Sequence, residues 1–202
     1  MTTYVPSWLP QPTLAYALDF ARRISFATVI LLDATDPVVS HLPIEVDPGG
    51  DERAPALRFH VASGNALAER LDEESQLLAI FRGVDGYISP TWYDHENVPT
   101  WNYAAVHMQG PAAPLTEDAL RAHLLALLES QDAHLGVREE FIEQYVPDIR
   151  GFTMTSPRIE PVFKLSQDKN RASFDGAITG LRAACRATLA DEMSSLKRHL
   201  DD

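Results

Sequence analysis

The 202-residue chain predicts an α+β fold built around a small β-barrel. Strand-like runs succeed one another between residues 26 and 110 with turns between them. Long helical patterns are confined to the start of the chain and to the stretch beyond residue 116. Strands and helices do not alternate in the regular way that a doubly wound parallel sheet requires. The chain fits one domain, residues 1–202, with a C-terminal helical extension from about residue 177.

The elements follow in order. Pro12 precedes TLAYALDFARRI, where Leu14, Leu18, Ala21 and Ile24 keep one face apolar, so a helix is expected from about residue 13. FATVILL, residues 26–32, is a continuous β-prone run; ATDP supplies a turn at 34–37, and VVSHLPIEV follows as the partner of a hairpin. Pro43 has no N–H for a ladder, which places an edge or a bend there before the polar loop DPGGDERAPA. In LRFHV, Leu57, Phe59 and Val61 alternate with Arg58 and His60, so His60 faces away from Phe59. Residues 77–83 form another strand, GVDG reads as a turn before YIS, and residues 102–110 form a further strand. Thr116 then caps TEDALRAHLLALLESQD, with acids in its first turn and leucines along one stripe. A short helix near REEFIEQYV stops at Pro147, GFTMTSPRIEPVFKL gives one more strand interrupted at Pro157, and residues 177–200 read as helical.

Composition narrows the function. Hydrophobic residues make up 45% and charged residues 23%, the balance of a packed soluble domain. Cys185 is the only cysteine, which excludes an internal disulfide and a cysteine-rich zinc site and fits a reducing cytoplasm. MTTYVPSWLPQP lacks the basic start and apolar run of a secretory signal, and no apolar stretch approaches spanning length, so export and membrane insertion are not expected. With 17 Lys plus Arg against 29 Asp plus Glu, the formal charge is −12, and direct DNA binding is not expected.

Chemistry concentrates in a few stretches. YISPTWYDHENVPTWNY, residues 87–103, holds Tyr87, Trp92, Tyr93, Trp101 and Tyr103, with Pro90 and Pro99 stiffening it and Ser89, Thr91, Thr100 and Asn102 offering hydrogen bonds. From composition it reads first as a barrel-closing corner, and it also suits a flat heteroaromatic ligand. VSHLP at 39–43 and HVASGN at 60–65 each pair a histidine with a hydroxyl at a strand end, and FKLSQDKNR at 163–171 gathers Lys164, Lys169 and Arg171 near Ser166 and Gln167. The histidines have no metal-ligand spacing, and no GxSxG elbow, GxGxxG fingerprint or P-loop occurs. No metal is expected, and no side chain is assigned a catalytic role.

Taken in order, SHLP, HVA followed by Asn65, YISPTWY, VPTWNYAAVH and FKLSQ resemble the PaiB family of FMN-binding split-barrel proteins, over roughly residues 4 to 181. The resemblance implies a split β-barrel like that of pyridoxamine-phosphate oxidases, with peripheral helices, and a homodimer with flavin sites at the subunit interface. It implies that Tyr87, Ser89, Trp92, Thr100, Trp101 and Asn102 line the ring and ribityl region, with Ser40, His41, His60, Ser63 and Asn65 at other strand ends. Lys164, Ser166 and Gln167 complete the site from the partner. Where the family usually reads HVARANP and GKWKLSQN, this chain has HVASGNA and PVFKLSQD. Ser63 and Val162 thus replace two basic residues and Asp168 an asparagine, all moving local charge away from what a phosphate dianion prefers. The implied function is an FMN-dependent oxidoreductase or flavin reductase exchanging electrons with a nicotinamide nucleotide. The alternative is a non-enzymatic transcriptional regulator acting through flavin or protein partners.

Overall fold

Apolar periodicity and capping decide where this chain turns from strand to helix. The computed structural model describes residues 5–32, 36–50, 54–72, 75–132 and 139–201. Two compact units emerge: Met1–Ala17, Arg82–Val106 and Glu160–Asp202 form the first, and Leu18–Phe81 with His107–Ile159 the second. The expected turn at 34–37 and the polar loop after residue 47 fall partly outside the described residues.

Helix α1 (Leu14–Ile24) ends on Arg22 and Arg23, cations that suit the negative end of its dipole. Strands β1 (Phe26–Leu31) and β2 (Val38–Pro43) form the expected hairpin, antiparallel, with Thr28 opposite His41 and Val29 opposite Ser40. Pro43 does end β2, and the chain resumes as β3 (Glu45–Asp47), which pairs instead with β4 (Ala56–Ala62). A short helix α2 (Ala66–Arg70) follows, capped by Asn65, whose Oδ1 accepts from the Leu67 N–H at 2.8 Å.

Strand β5 (Gln76–Ile88) runs straight through the GVDG sequence, so the turn expected there is absent. Its glycine serves a close approach instead: a Cβ at Gly86 would stand 2.8 Å from Leu189 Cδ2. Strand β6 (Thr100–Pro114) is likewise longer than the expected 102–110. Helix α3 (Glu117–Asp132) begins as expected at Thr116, whose Oγ1 accepts from the Ala119 N–H at 3.3 Å. Helix α4 (Glu139–Glu143) and a single 3₁₀ turn at Val146–Asp148, carrying Pro147, lead into β7 (Ile149–Thr155). The one strand expected over 151–165 is two, β7 and β8 (Arg158–Lys164), because Ser156 at φ 50° and Pro157 break the ladder between them. The strands lie in the order β2-β1-β5-β6-β7-β4-β3, with β8 also paired to β6.

The C-terminal helical region starts earlier than residue 177, as α5 (Arg171–Ala183) and α6 (Ala187–Asp201), separated where Cys185 adopts φ 58°. Asn170 caps α5, its Oδ1 accepting from the Ser173 N–H at 2.9 Å. The Asp94 carboxylate docks at the same helix start, where it accepts from Ser173 Oγ and, at 3.2 Å, from Asn170 Nδ2. One turn earlier in the aromatic stretch, Trp92 ends a 3₁₀ turn (Pro90–Trp92) capped by Ser89. Its indole lies flat against α5 where Gly180 has no side chain, and its carbonyl comes close to Gly176. No described helix is long and apolar enough to cross a membrane.

A methyl group at position 180 would occupy the space of the Trp92 ring. Gly180→Ala is therefore expected to destabilise the protein by about 1–3 kcal/mol despite the better helix propensity of alanine. Urea denaturation of the two proteins measures it.

Hydrogen bonds from Ser173, His95 and Asn170 hold the Asp94 carboxyl down to about 2. Because the folded state depresses this value, the stabilisation is complete above the ordinary 3.8 and fades as pH falls toward 2. Asp94→Asn should remove that acid-limb slope, read as a flatter dependence of melting temperature on pH.

Candidate functional site

Nine of the fourteen expected site residues belong to the first unit and five to the second. In the first unit, strand alternation along β6 buries Asn102 and leaves Trp101, its neighbour, 56% exposed. Asn102 is 1% exposed, donates from Nδ2 to Ser166 Oγ at 2.9 Å, and lies 3.4 Å from Met193 Sδ. Ser166 sits just past β8 with φ 59°, a left-handed backbone that few side chains adopt, and is itself buried. Gln167, next in sequence, fixes this corner: its Oε1 accepts from the Leu165 N–H at 2.7 Å, and its Nε2 donates to the carbonyls of Pro10 at 2.9 Å and Phe163 at 2.8 Å. Lys164, at the end of β8, donates from Nζ to Thr100 Oγ1 at 2.6 Å.

These residues border a cavity of about 470 Å³. Thr100, Asn102, Lys164 and Ser166 line it, and so do residues outside the expected set: Trp8, Tyr93, Tyr103 and Lys169 among them. Lys169 Nζ lies 5.9 Å from the centre of the Tyr93 ring and 3.0 Å from the Asp168 carboxylate, so one ammonium is already balanced by an anion. The Tyr93 hydroxyl is buried and has no hydrogen-bond partner. The cavity lining thus combines apolar and aromatic side chains, Val5, Leu9 and Phe163 among them, with hydroxyl, amide and ammonium groups.

Tyr87, Ser89 and Trp92 are not among the lining residues. Tyr87 is 47% exposed, Ser89 caps the 3₁₀ turn, with its Oγ 2.8 Å from Thr91 Oγ1, and Trp92 is held against α5. In the second unit, Ser40 is buried and donates to Asn65 Oδ1 at 3.2 Å, which joins β2 to the cap of α2. His41, exposed, pairs through Nδ1 with Thr28 Oγ1 at 3.0 Å. The half-buried His60 turns toward α3, with Nδ1 3.2 Å from His123 Nε2. Burial, and then the neighbouring His123, pull the His60 imidazole below its ordinary value. Ser63 donates its N–H to the Asp148 carbonyl at 2.8 Å, while its buried Oγ lacks a partner. Three of these cavity residues had a sequence signal, Tyr93 and Tyr103 in the aromatic stretch and Lys169 in the basic one; Trp8 lies in an N-terminal segment with no chemical pattern. Among the described residues, no cluster of histidine, cysteine and carboxylates is arranged to hold a metal ion.

Comparison with known proteins places the chain in a family and a fold. The chain is 31% identical, over 186 residues and 89% of each chain, to the protease synthase and sporulation protein PAI 2 of Bacillus subtilis. Its fold resembles that of an FAD and haem binding protein from Mycobacterium smegmatis, with a TM-score of 0.58 and 16% identity over 76% of this chain and 72% of that one. A flavocytochrome from Azotobacter vinelandii gives a TM-score of 0.51 and 13% identity over 86% and 74%. The α+β split-barrel fold expected from the sequence is the fold found. Residues 3–158 match the family described as "Putative FMN-binding domain", a span that ends before Lys164, Ser166 and Gln167. A match over most of the chain, together with the PAI 2 relative, shows that this protein belongs to that FMN-binding family.

Proposed function

We propose that the chain is an FMN-binding flavoprotein of the oxidoreductase or flavin reductase kind, and that the cavity of the first unit receives the flavin. The observation that carries this reading is the donor set around that cavity: two lysines, two hydroxyls, a buried amide and an unpartnered phenol, within an otherwise aromatic and apolar lining. A phosphorylated planar cofactor asks for those groups. A phenol buried without a partner is unfavourable by about 1–3 kcal/mol, which a ligand acceptor would recover.

Lys164 and Thr100 would hold the phosphate end, Ser166 and Asn102 the polar chain, and Tyr93, Tyr103 and Trp8 the ring. Bound FMN supplies the capacity to take up and release electrons. The protein's own share is to bind, orient and shield it, with a nicotinamide nucleotide as the proposed electron donor. Exposed Trp8 and Val98 on the cavity lining, at 68% and 71%, and exposed Trp101, at 56%, are the apolar groups that a second copy would cover in the proposed homodimer. Exposed Cys185 suits a reducing, cytoplasmic setting.

A second reading, a non-enzymatic regulator, is supported by the similarity to the sporulation protein across 89% of both chains. Purified protein tested for bound flavin, for NADH or NADPH oxidation, and for a DNA mobility shift separates the two. Protein that neither carries flavin nor quenches added FMN overturns the first reading.

Lys164→Ala is expected to weaken FMN binding about ten- to a hundredfold, the range of one charge-assisted contact. Ser63→Arg, in the second unit and outside the cavity lining, is expected to leave it unchanged. Fluorescence titration with FMN measures both.

A further inference from the structure

Beneath α3, in the second unit, lies a chain of three titratable side chains that the proposed flavin site does not use. Glu45 Oε2 on β3 is 2.9 Å from His123 Nδ1 on α3, and His123 Nε2 is 3.2 Å from His60 Nδ1 on β4. The His123 side chain is fully buried, and the two imidazole rings meet edge to face with centroids 5.4 Å apart. A carboxylate only accepts, so the proton on His123 is on Nδ1; its Nε2 is then an acceptor, and His60 donates from Nδ1.

Among the described residues, Arg58 and Asp47 flank this chain. On β4, Arg58 donates to Glu45 Oε1 at 2.8 Å and lies 3.4 Å from Asp47 Oδ2 on β3. On β7, the residues opposite His60 and Arg58 are Gly151 and Thr153, neither of them titratable. On α3, the nearest other cation, Arg121, is held by Glu117, Asp118 and Glu143 on the helix's outer side. One added proton leaves the N–H···N bond intact, since a protonated His60 still donates to His123. A second proton destroys it. His123 Nε2 then carries a hydrogen of its own, two N–H groups face each other without an acceptor, and two positive rings lie side by side in a buried space.

His123 is also one of the side chains through which α3 meets the sheet, one turn from buried Leu120, which packs with Ile142 and Val146. We propose that the Glu45–His123–His60 chain is an acid-released latch: it holds α3 on the β3–β4–β7 face near neutral pH, and double protonation lets the helix detach while the strands stay paired. The direction agrees with the linkage sign. His60 is held below its ordinary value in the folded protein, so the unfolded or detached form binds more protons, and the latch weakens as pH falls below the ordinary histidine range. The latch does not depend on the flavin reading.

Amide hydrogen exchange on the full chain tests it, at about pH 7.5 and about pH 5 with intrinsic rates corrected for pH. The expected result is at least about tenfold faster exchange at the lower pH for peptides of 117–132, with β1 and β5 unchanged. His60→Gln keeps a donor toward His123 but cannot accept a proton, and is expected to abolish the pH effect. Three results overturn the latch: α3 protection that does not change with pH, loss of protection in α3 and the strands together, or an unaltered pH response in His60→Gln. Should that variant not fold, NMR titration of wild-type His60 and His123 decides. Two coupled steps, the later below the ordinary histidine range, support the latch, and two independent titrations at ordinary values overturn it.

Discussion

The seating of the 89–99 loop on α5 is the constraint from which the candidate site follows. That loop has no ladder of its own, and it supplies Tyr93, Asn97 and Val98 to the cavity wall. It is fixed at two points: Trp92 lies on the bare flank of the helix at Gly176 and Gly180, and Asp94 meets the helix start through Ser173 and Asn170. The first contact is shape-driven, the second polar and made through the side chains of Ser173 and Asn170 at the helix start. Together they turn a proline-stiffened, ring-rich segment into a rigid wall. Without a helix presenting two glycines one turn apart, the same rings would have no fixed direction.

Much of the fold was legible because it rests on local chemistry. The β1–β2 hairpin, the alternation in β4, the Thr116 cap and the bend at Pro43 are each set by residues within a few positions of one another. What was not legible depends on distant partners. The glycines at 83 and 86 have the composition of a turn, yet β5 continues because Gly86 accommodates Leu189, more than a hundred positions away. Pro157 reads as an interruption in one strand, and only the left-handed Ser156 beside it makes the segment two.

The candidate site divides in the same way. Thr100, Asn102, Lys164 and Ser166 were legible from the motifs and do line one cavity. Gln167 looks equally polar in sequence, but its amide is fully occupied by backbone groups from Pro10, Phe163 and Leu165. Ser40 and Asn65 bond to each other and to α2, a pairing across 25 residues that sequence spacing does not announce. His60 offered an exposed-looking imidazole on a polar strand face, and its partner His123 sat unremarked in a leucine-rich helix.

The corner at Ser166 has a consequence for how any ligand would enter. A serine held at φ 59° is strained unless its surroundings insist on it, and here Asn102 and Gln167 insist. The hydroxyl and amide on that side are therefore already oriented by the chain itself. An arriving molecule would meet a surface with little left to freeze, so the entropy lost on association would fall mainly on the guest rather than on the host.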